Sequence, residues 1–279
     1  MTNEKKVEEK SGLSLPKLDE RVIYWALVVL LLLPFFVNMG IPLPLSPMTQ
    51  EFYDYVDRLK PDSVILYSVD FGPGSLPEIE GSIVAVSKQI ASKPIKVVII
   101  SVWEPTAAPV NEEKIVSVFK AAGKTYGVDY VNFGFLPGGE GAVARLADDF
   151  KGILKVDYYG NSIEDLPMMQ NIKDATSFTM VIDGGFPSWL YMRQNWVPKY
   201  NIPLISIEAA GSAVEVRSMY PFSLKAILGG ARAGAEYEVL IKSPGVAKKG
   251  LDSVTFGVIL FVGTIALGNV IYVRSRRKK

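Results

Sequence analysis

Ile95-Lys-Val-Val-Ile-Ile-Ser-Val102 is the stretch on which the fold reading turns. Its apolar residues run on without alternating with polar ones, so both faces of a strand here are buried. That is the habit of parallel strands covered by helices on both sides. The flanks agree. On the N-terminal side, Ile79, Ile83, Val86 and Ile90 share one face of a helix predicted over Pro77 to Ser92, and Pro94 ends it. Before that helix, Val64-Ile-Leu-Tyr67 is a β-prone run that leads into Asp70-Phe-Gly-Pro-Gly-Ser75. Earlier still, Met48, Phe52, Tyr55 and Leu59 fall at helical spacing behind Ser46 or Thr49 as cap, after a stiff proline-rich lead-in from Ile41 to Pro47.

The C-terminal side repeats the pattern. Asn111 is expected to cap a helix with Glu112 and Glu113 in its first turn and Ile115, Val118, Phe119 and Ala122 on its apolar face. Strands are expected at Val128–Phe133, Phe178–Asp183 and Ile202–Ile207. Helices are expected through Val143, Leu146, Ala147 and Phe150, near Leu166–Ile172, from Pro187 through Trp189, Leu190, Trp196 and Val197, and over Pro221–Ile241. Strands alternating with one-faced helices predict a Rossmann-like three-layer α/β domain with a mainly parallel sheet of about five strands. The glycine-rich loops lack both the dinucleotide G-x-G-x-x-G spacing and a Walker A signature.

Two uncharged stretches bracket this domain. Val254 to Val273 carries no charge until Arg274-Ser275-Arg276-Arg277-Lys278-Lys279, and it has the roughly 20 residues that cross a bilayer core. Val22 to Val37 is the other, with Tyr24 and Trp25 at its start, where aromatic side chains favour the interface. A cleaved signal peptide is the rival reading, but Val37-Asn38-Met39-Gly40 is a poor cleavage site. The expected organisation is a disordered cytoplasmic tail (1–21), a transmembrane helix (22–40), an extracytoplasmic α/β domain (41–250), a second transmembrane helix (251–273) and a basic cytoplasmic tail (274–279). Lys17 and Arg21 flank the first span and the basic end flanks the second, so the positive-inside rule places both termini in the cytoplasm of a two-pass cell-membrane protein.

Composition removes several functions. The 279 residues include 30 Lys+Arg against 29 Asp+Glu, so no global charge attracts nucleic acid. The absence of Cys excludes disulfides and thiol chemistry, and fits a prokaryotic protein at least as well as a eukaryotic one. The absence of His removes the usual general base and the Ser-His-Asp arrangement, and with Cys also missing it removes His- or Cys-ligated zinc.

The remaining polar chemistry gathers at strand ends. Ligands of open α/β sheets bind beyond the carboxyl ends of the strands, which brings Asp70, Glu104, Glu140, Asp183 and Glu208 to one edge, with Ser75 in the first loop. Such a crevice suits a ligand, hydrolysis by a carboxylate pair, or Mg²⁺ or Ca²⁺ bound through oxygen. The plainer reading of each carboxylate is a helix cap or dipole partner. No cofactor is otherwise expected.

Ala226, Gly230 and Gly234 at i, i+4 and i+8 of the closing helix form a small-residue stripe, explained by close packing on the sheet or by contact with another subunit. Trp189 and Trp196 are core residues or a partner surface. The leading functional expectation is a structural or interaction subunit of an oligomeric membrane assembly, its partners the lipid bilayer and copies of itself or other membrane subunits. A ligand-binding or metal-assisted hydrolytic domain is the alternative.

Overall fold

A computed structural model describes residues 20–185 and 187–277. The tail read over residues 1–21 lies, up to residue 19, outside the described residues, as do Lys278 and Lys279. In chain order the elements are α1 (Glu20–Phe36), α2 (Pro47–Asp57), β1 (Val64–Val69), α3 (Leu76–Ala91), β2 (Lys96–Ser101), α4 (Ala107–Asn111), a π-type turn (Glu112–Val116), α5 (Ser117–Ala121) and β3 (Tyr130–Phe135). Then follow α6 (Gly139–Asp148), α7 (Phe150–Ile153), three short 3₁₀ turns between Ile163 and Ser177, β4 (Met180–Gly184), α8 (Ser188–Asn195) and α9 (Val197–Tyr200). The chain continues through β5 (Leu204–Glu208), α10 (Ala210–Arg217), β6 (Ala226–Gly229), α11 (Gly230–Leu240) and α12 (Val246–Arg276).

The six strands form one sheet in the order β3-β2-β1-β4-β5-β6, and every pair is parallel. The chain moves outward from β1 in one direction, then returns to β4 and moves outward in the other, so a topological switch point lies between β1 and β4. Alternation along the strands divides the core. Leu66, Val98, Ile100, Val181 and Leu204 face one layer with Val143, Leu146, Phe150, Trp189, Met192 and Trp196. Ile65, Tyr67, Val97, Ile99, Ile182 and Ile205 face the other with Phe52, Ile79, Ile83, Val86, Ile90, Phe119 and Tyr237. The helical spacing read for α3 is therefore its buried face, each fully buried Ile contributing about 2 kcal/mol.

Among the described residues, those within 40–252 form one compact unit, and 20–39 with 253–277 form another. Within the first, Glu238 is almost wholly buried and accepts from the N–H groups of Gly245, Ala247 and Lys248, which tethers α11 to the opening turn of α12. In the second, the Ser253 hydroxyl donates to the Leu31 carbonyl at 2.7 Å, and Leu27 and Leu31 lie beside Gly257. Among the described residues one helix, Val246–Arg274, is long and apolar enough to cross a membrane, and none of its most apolar window is buried. The N-terminal apolar helix is shorter, so a second span does not follow from length.

The sheet has six strands rather than about five because part of the segment expected as the closing helix is a strand. Ala226 lies in β6, hydrogen-bonded beside β5, and the helix starts only at Gly230. Ala226-Ile-Leu-Gly229 is short and carries small residues at both ends, so its strand conformation comes from the neighbour it pairs with rather than from intrinsic preference. The small-residue stripe is thus not one helix face. Gly234 does pack closely: a Cβ there would lie 2.8 Å from Ser82 Oγ and 3.3 Å from Ala247 Cβ, so α11 meets α3 and the start of α12 inside the domain. Asn111 is no cap either. The helical segment begins at Ala107, and Asn111 is buried with its side-chain N–H donating to the Val69 carbonyl.

Gly185 holds the switch point shut. Its φ is +117°, and a Cβ would sit 1.5 Å from the Asp70 carbonyl oxygen. Gly185→Ala is expected to lower the unfolding free energy by roughly 3 kcal/mol, since it combines a forbidden φ with a backbone clash. Urea denaturation followed by Trp fluorescence measures it.

Candidate functional site

Three carboxyls with no measurable exposure meet at the carboxyl end of the sheet: Asp70 after β1, Asp183 in β4 and Glu208 at the end of β5. The pleat explains the convergence. Ser68, Asp183 and Ser206 are register partners across β1, β4 and β5, and therefore share a face. Two residues beyond Ser68 and Ser206 stand Asp70, just past β1, and Glu208, at the end of β5, where the two-residue period puts them on that same face. The result is a polar row at the edge of an otherwise aliphatic layer.

Each carboxyl has a different environment. Asp70 Oδ1 accepts from Ser101 Oγ at 2.6 Å and from the consecutive backbone N–H groups of Val102, Trp103 and Glu104 at 2.8, 2.7 and 3.0 Å. Its Oδ2 accepts from Ser68 Oγ at 3.2 Å. Burial holds this carboxyl above its ordinary value, and the Ser101 hydroxyl and the three N–H groups offset part of that rise. Four donors on one oxygen leave no place there for a proton, so the carboxylate is the form that satisfies them.

Glu208 accepts from Ser206 Oγ and, at 2.8 Å, from Ser212 Oγ. Burial raises it to about 7 against the pull of those hydroxyls. Asp183 is the extreme case. Its Oδ2 accepts from Ser188 Oγ at 3.1 Å and the Ser68 hydroxyl also pulls it down, while its Oδ1 is buried without a well-aligned hydrogen bond. Burial first, then the charges of Glu208 and Asp70, hold it well above the usual carboxylate range.

The other residues read from the sequence play lesser parts. Glu104 turns back on its own loop, accepting from Thr106 N–H and Thr106 Oγ1, as a capping residue does. Ser75 opens α3 and donates to the Gly72 carbonyl at 3.2 Å, which is turn chemistry. Glu140 is exposed in the first turn of α6. Trp189 and Trp196 are buried in the core, with Trp196 Nε1 donating to the Val143 carbonyl at 3.2 Å, so neither presents a partner surface on this domain.

The serines were missed as a set. Ser68-Val-Asp70 and Ser206-Ile-Glu208 share a Ser-x-acid spacing at strand ends, which the two-residue period puts on one face. That signal was available.

Among the described residues no three acidic side chains are placed to hold one metal ion. None of the described cavities reaches Asp70, Asp183 or Glu208. Fold and edge together define a Rossmann-like parallel α/β domain with a closed cluster of acids at its switch point. No protein-family model matches the chain, and no curated protein matches it either.

Proposed function

We propose that this protein is a membrane-anchored binding domain whose ligand site is the switch-point edge formed by Asp70, Asp183 and Glu208. The observation that carries the reading is Asp183. A fully buried carboxyl with an oxygen that lacks a well-aligned hydrogen bond costs stability, and an aliphatic residue would fill the same place more cheaply. Strongly shifted carboxyls in a sheet crevice mark functional sites more often than random positions do.

The rival reading, a structural subunit of an assembly, rested on residues that now have internal roles: Ala226 in β6, Gly234 against α3, and Trp189 and Trp196 in the core. The anchor is α12, with Arg274, Arg276 and Arg277 at its end favouring the cytoplasmic side. We read α1 as a second span that brings the N-terminus to the same side and leaves the domain outside. The Ser253–Leu31 bond and the Gly257 contacts support pairing of the two helices.

Native mass spectrometry of the full chain, purified gently from its host membrane, tests the binding reading. A small molecule that accompanies the wild type and is lost in a folded Asp183→Asn variant supports it. A wild type and variant that carry the same small molecules, or none, overturn it.

A further inference from the structure

We propose that the cavity beside β6 binds a small monocarboxylate with a short apolar body, through Arg217 and Arg232. The inference does not rest on the switch-point reading. The cavity measures about 210 Å³. Its walls come from Ser46 and Thr49 at the start of α2, Arg217 at the end of α10, Ile227 in β6 and Arg232 in the first turn of α11. β6 is an outermost strand, so the cavity lies at the margin of the sheet.

Glu236, which also lines the cavity, decides its charge. Its side chain is almost wholly buried. Oε2 accepts from the Ser46 N–H at 2.9 Å and from Thr49 Oγ1 at 2.7 Å, and Oε1 accepts from Arg232 Nε at 2.9 Å. Burial pushes this carboxyl up, and the donors more than offset that rise, so it stands below its usual range and is ionised at neutral pH. Arg232 thus uses its Nε on Glu236 and keeps both Nη groups open. Arg217 is exposed and, among the described residues, has neither an ion pair nor a side-chain hydrogen bond. Two guanidiniums against one carboxylate leave one net positive charge, since the other lining residues are uncharged.

That balance selects the ligand. Two cations on one small cavity repel each other, Glu236 offsets only one of them, and a single negative charge removes the remainder. A dianionic phosphate would set its second charge against Glu236. A planar carboxylate accepts paired N–H groups from a guanidinium fork. Met48, Ile227 and Ala233 supply apolar wall for a hydrocarbon body. The space is smaller than the roughly 300–1,000 Å³ that takes drug-sized molecules, so a compact acid fits it.

Titration calorimetry of the full-length protein in non-ionic detergent tests this with sodium butyrate. Butyramide, which keeps the carbon body without the charge, and sodium phosphate are the rival probes, all at one ionic strength. Expected are saturable butyrate binding and an affinity at least tenfold lower in Arg217→Gln. Because Arg217 is exposed and unpaired, Arg217→Gln should melt within a few degrees of wild type, so a lost affinity reports the site and not the fold. Absence of saturable butyrate binding overturns the proposal, and so does equal affinity in Arg217→Gln. Butyramide binding as tightly as butyrate, or phosphate binding more tightly, overturns it as well.

Discussion

Glu208→Gln is expected to remove about 3 kcal/mol of pH dependence from the unfolding free energy between roughly pH 4 and 8, at 1.4 kcal/mol per pKa unit. The sign follows from burial. The Glu208 carboxyl stands near 7 in the folded domain and at an ordinary value, 4.5, in the unfolded chain. The folded state therefore binds a proton that the unfolded state has released. Below the unfolded value both states are protonated and nothing is lost. As pH rises from about 4.5 to 7 the folded state must either keep a proton taken from dilute solution or bury a charge, and stability falls. Asp183 acts in the same direction and over a window extending further upward, so Asp183→Asn should be more stable than wild type at neutral pH. Glu236 opposes both, since its carboxyl is held below its usual range by the Ser46, Thr49 and Arg232 donors, and its contribution is lost as pH falls. The wild-type profile sums these trends. The difference between wild type and Glu208→Gln, from urea titrations at five pH values, isolates one of them. A difference that stays flat across that window would contradict the burial assigned to Glu208.

Which parts of this were legible in the sequence depends on what holds each part. The strands β1, β2, β4 and β5 were legible because aliphatic runs buried on both faces leave a strong signal. So was α3, whose apolar positions repeat at helical spacing and prove to be buried. β6 was not, because a four-residue edge strand of small side chains owes its conformation to β5 and to nothing local. Asp70, Asp183 and Glu208 could be named because a parallel sheet has one functional edge, but strand order was needed to know that β1 and β4 are neighbours. Glu140 and Ser75 sit at strand-following loops by the same rule and do not join the cluster, since the rule locates an edge and says nothing of where a loop residue turns. The distinct states of the three carboxyls were beyond reach altogether. They depend on which backbone N–H groups aim at which oxygen, and Val102, Trp103 and Glu104 point at Asp70 only because the chain turns sharply after β2.

That turn sets up the largest mutational effect. Asp70→Asn is expected to destabilise the domain by about 4 kcal/mol, even though Asp183→Asn, in the same cluster, acts in the opposite direction at neutral pH. An amide oxygen at position 70 still accepts, but it carries no charge, and it is asked to satisfy one hydroxyl and three consecutive N–H groups. If the amide turns the other way, its own N–H₂ faces those donors. Either way several buried N–H groups between β2 and α4 lose a charge-assisted acceptor. Trp103 belongs to that loop, so its fluorescence should also report loosening before global unfolding. Asp183 has no such dependants: only the hydroxyls of Ser188 and Ser68 act on it, no backbone N–H relies on it, and an Asn there keeps the Ser188 contact without requiring a proton. Thermal unfolding of the two variants side by side at pH 7 is the measurement. Opposite shifts would separate an acid that builds the edge from one held in readiness at it. Equal losses would mean that Asp183 also serves the fold, and would leave the binding reading without the observation on which it stands.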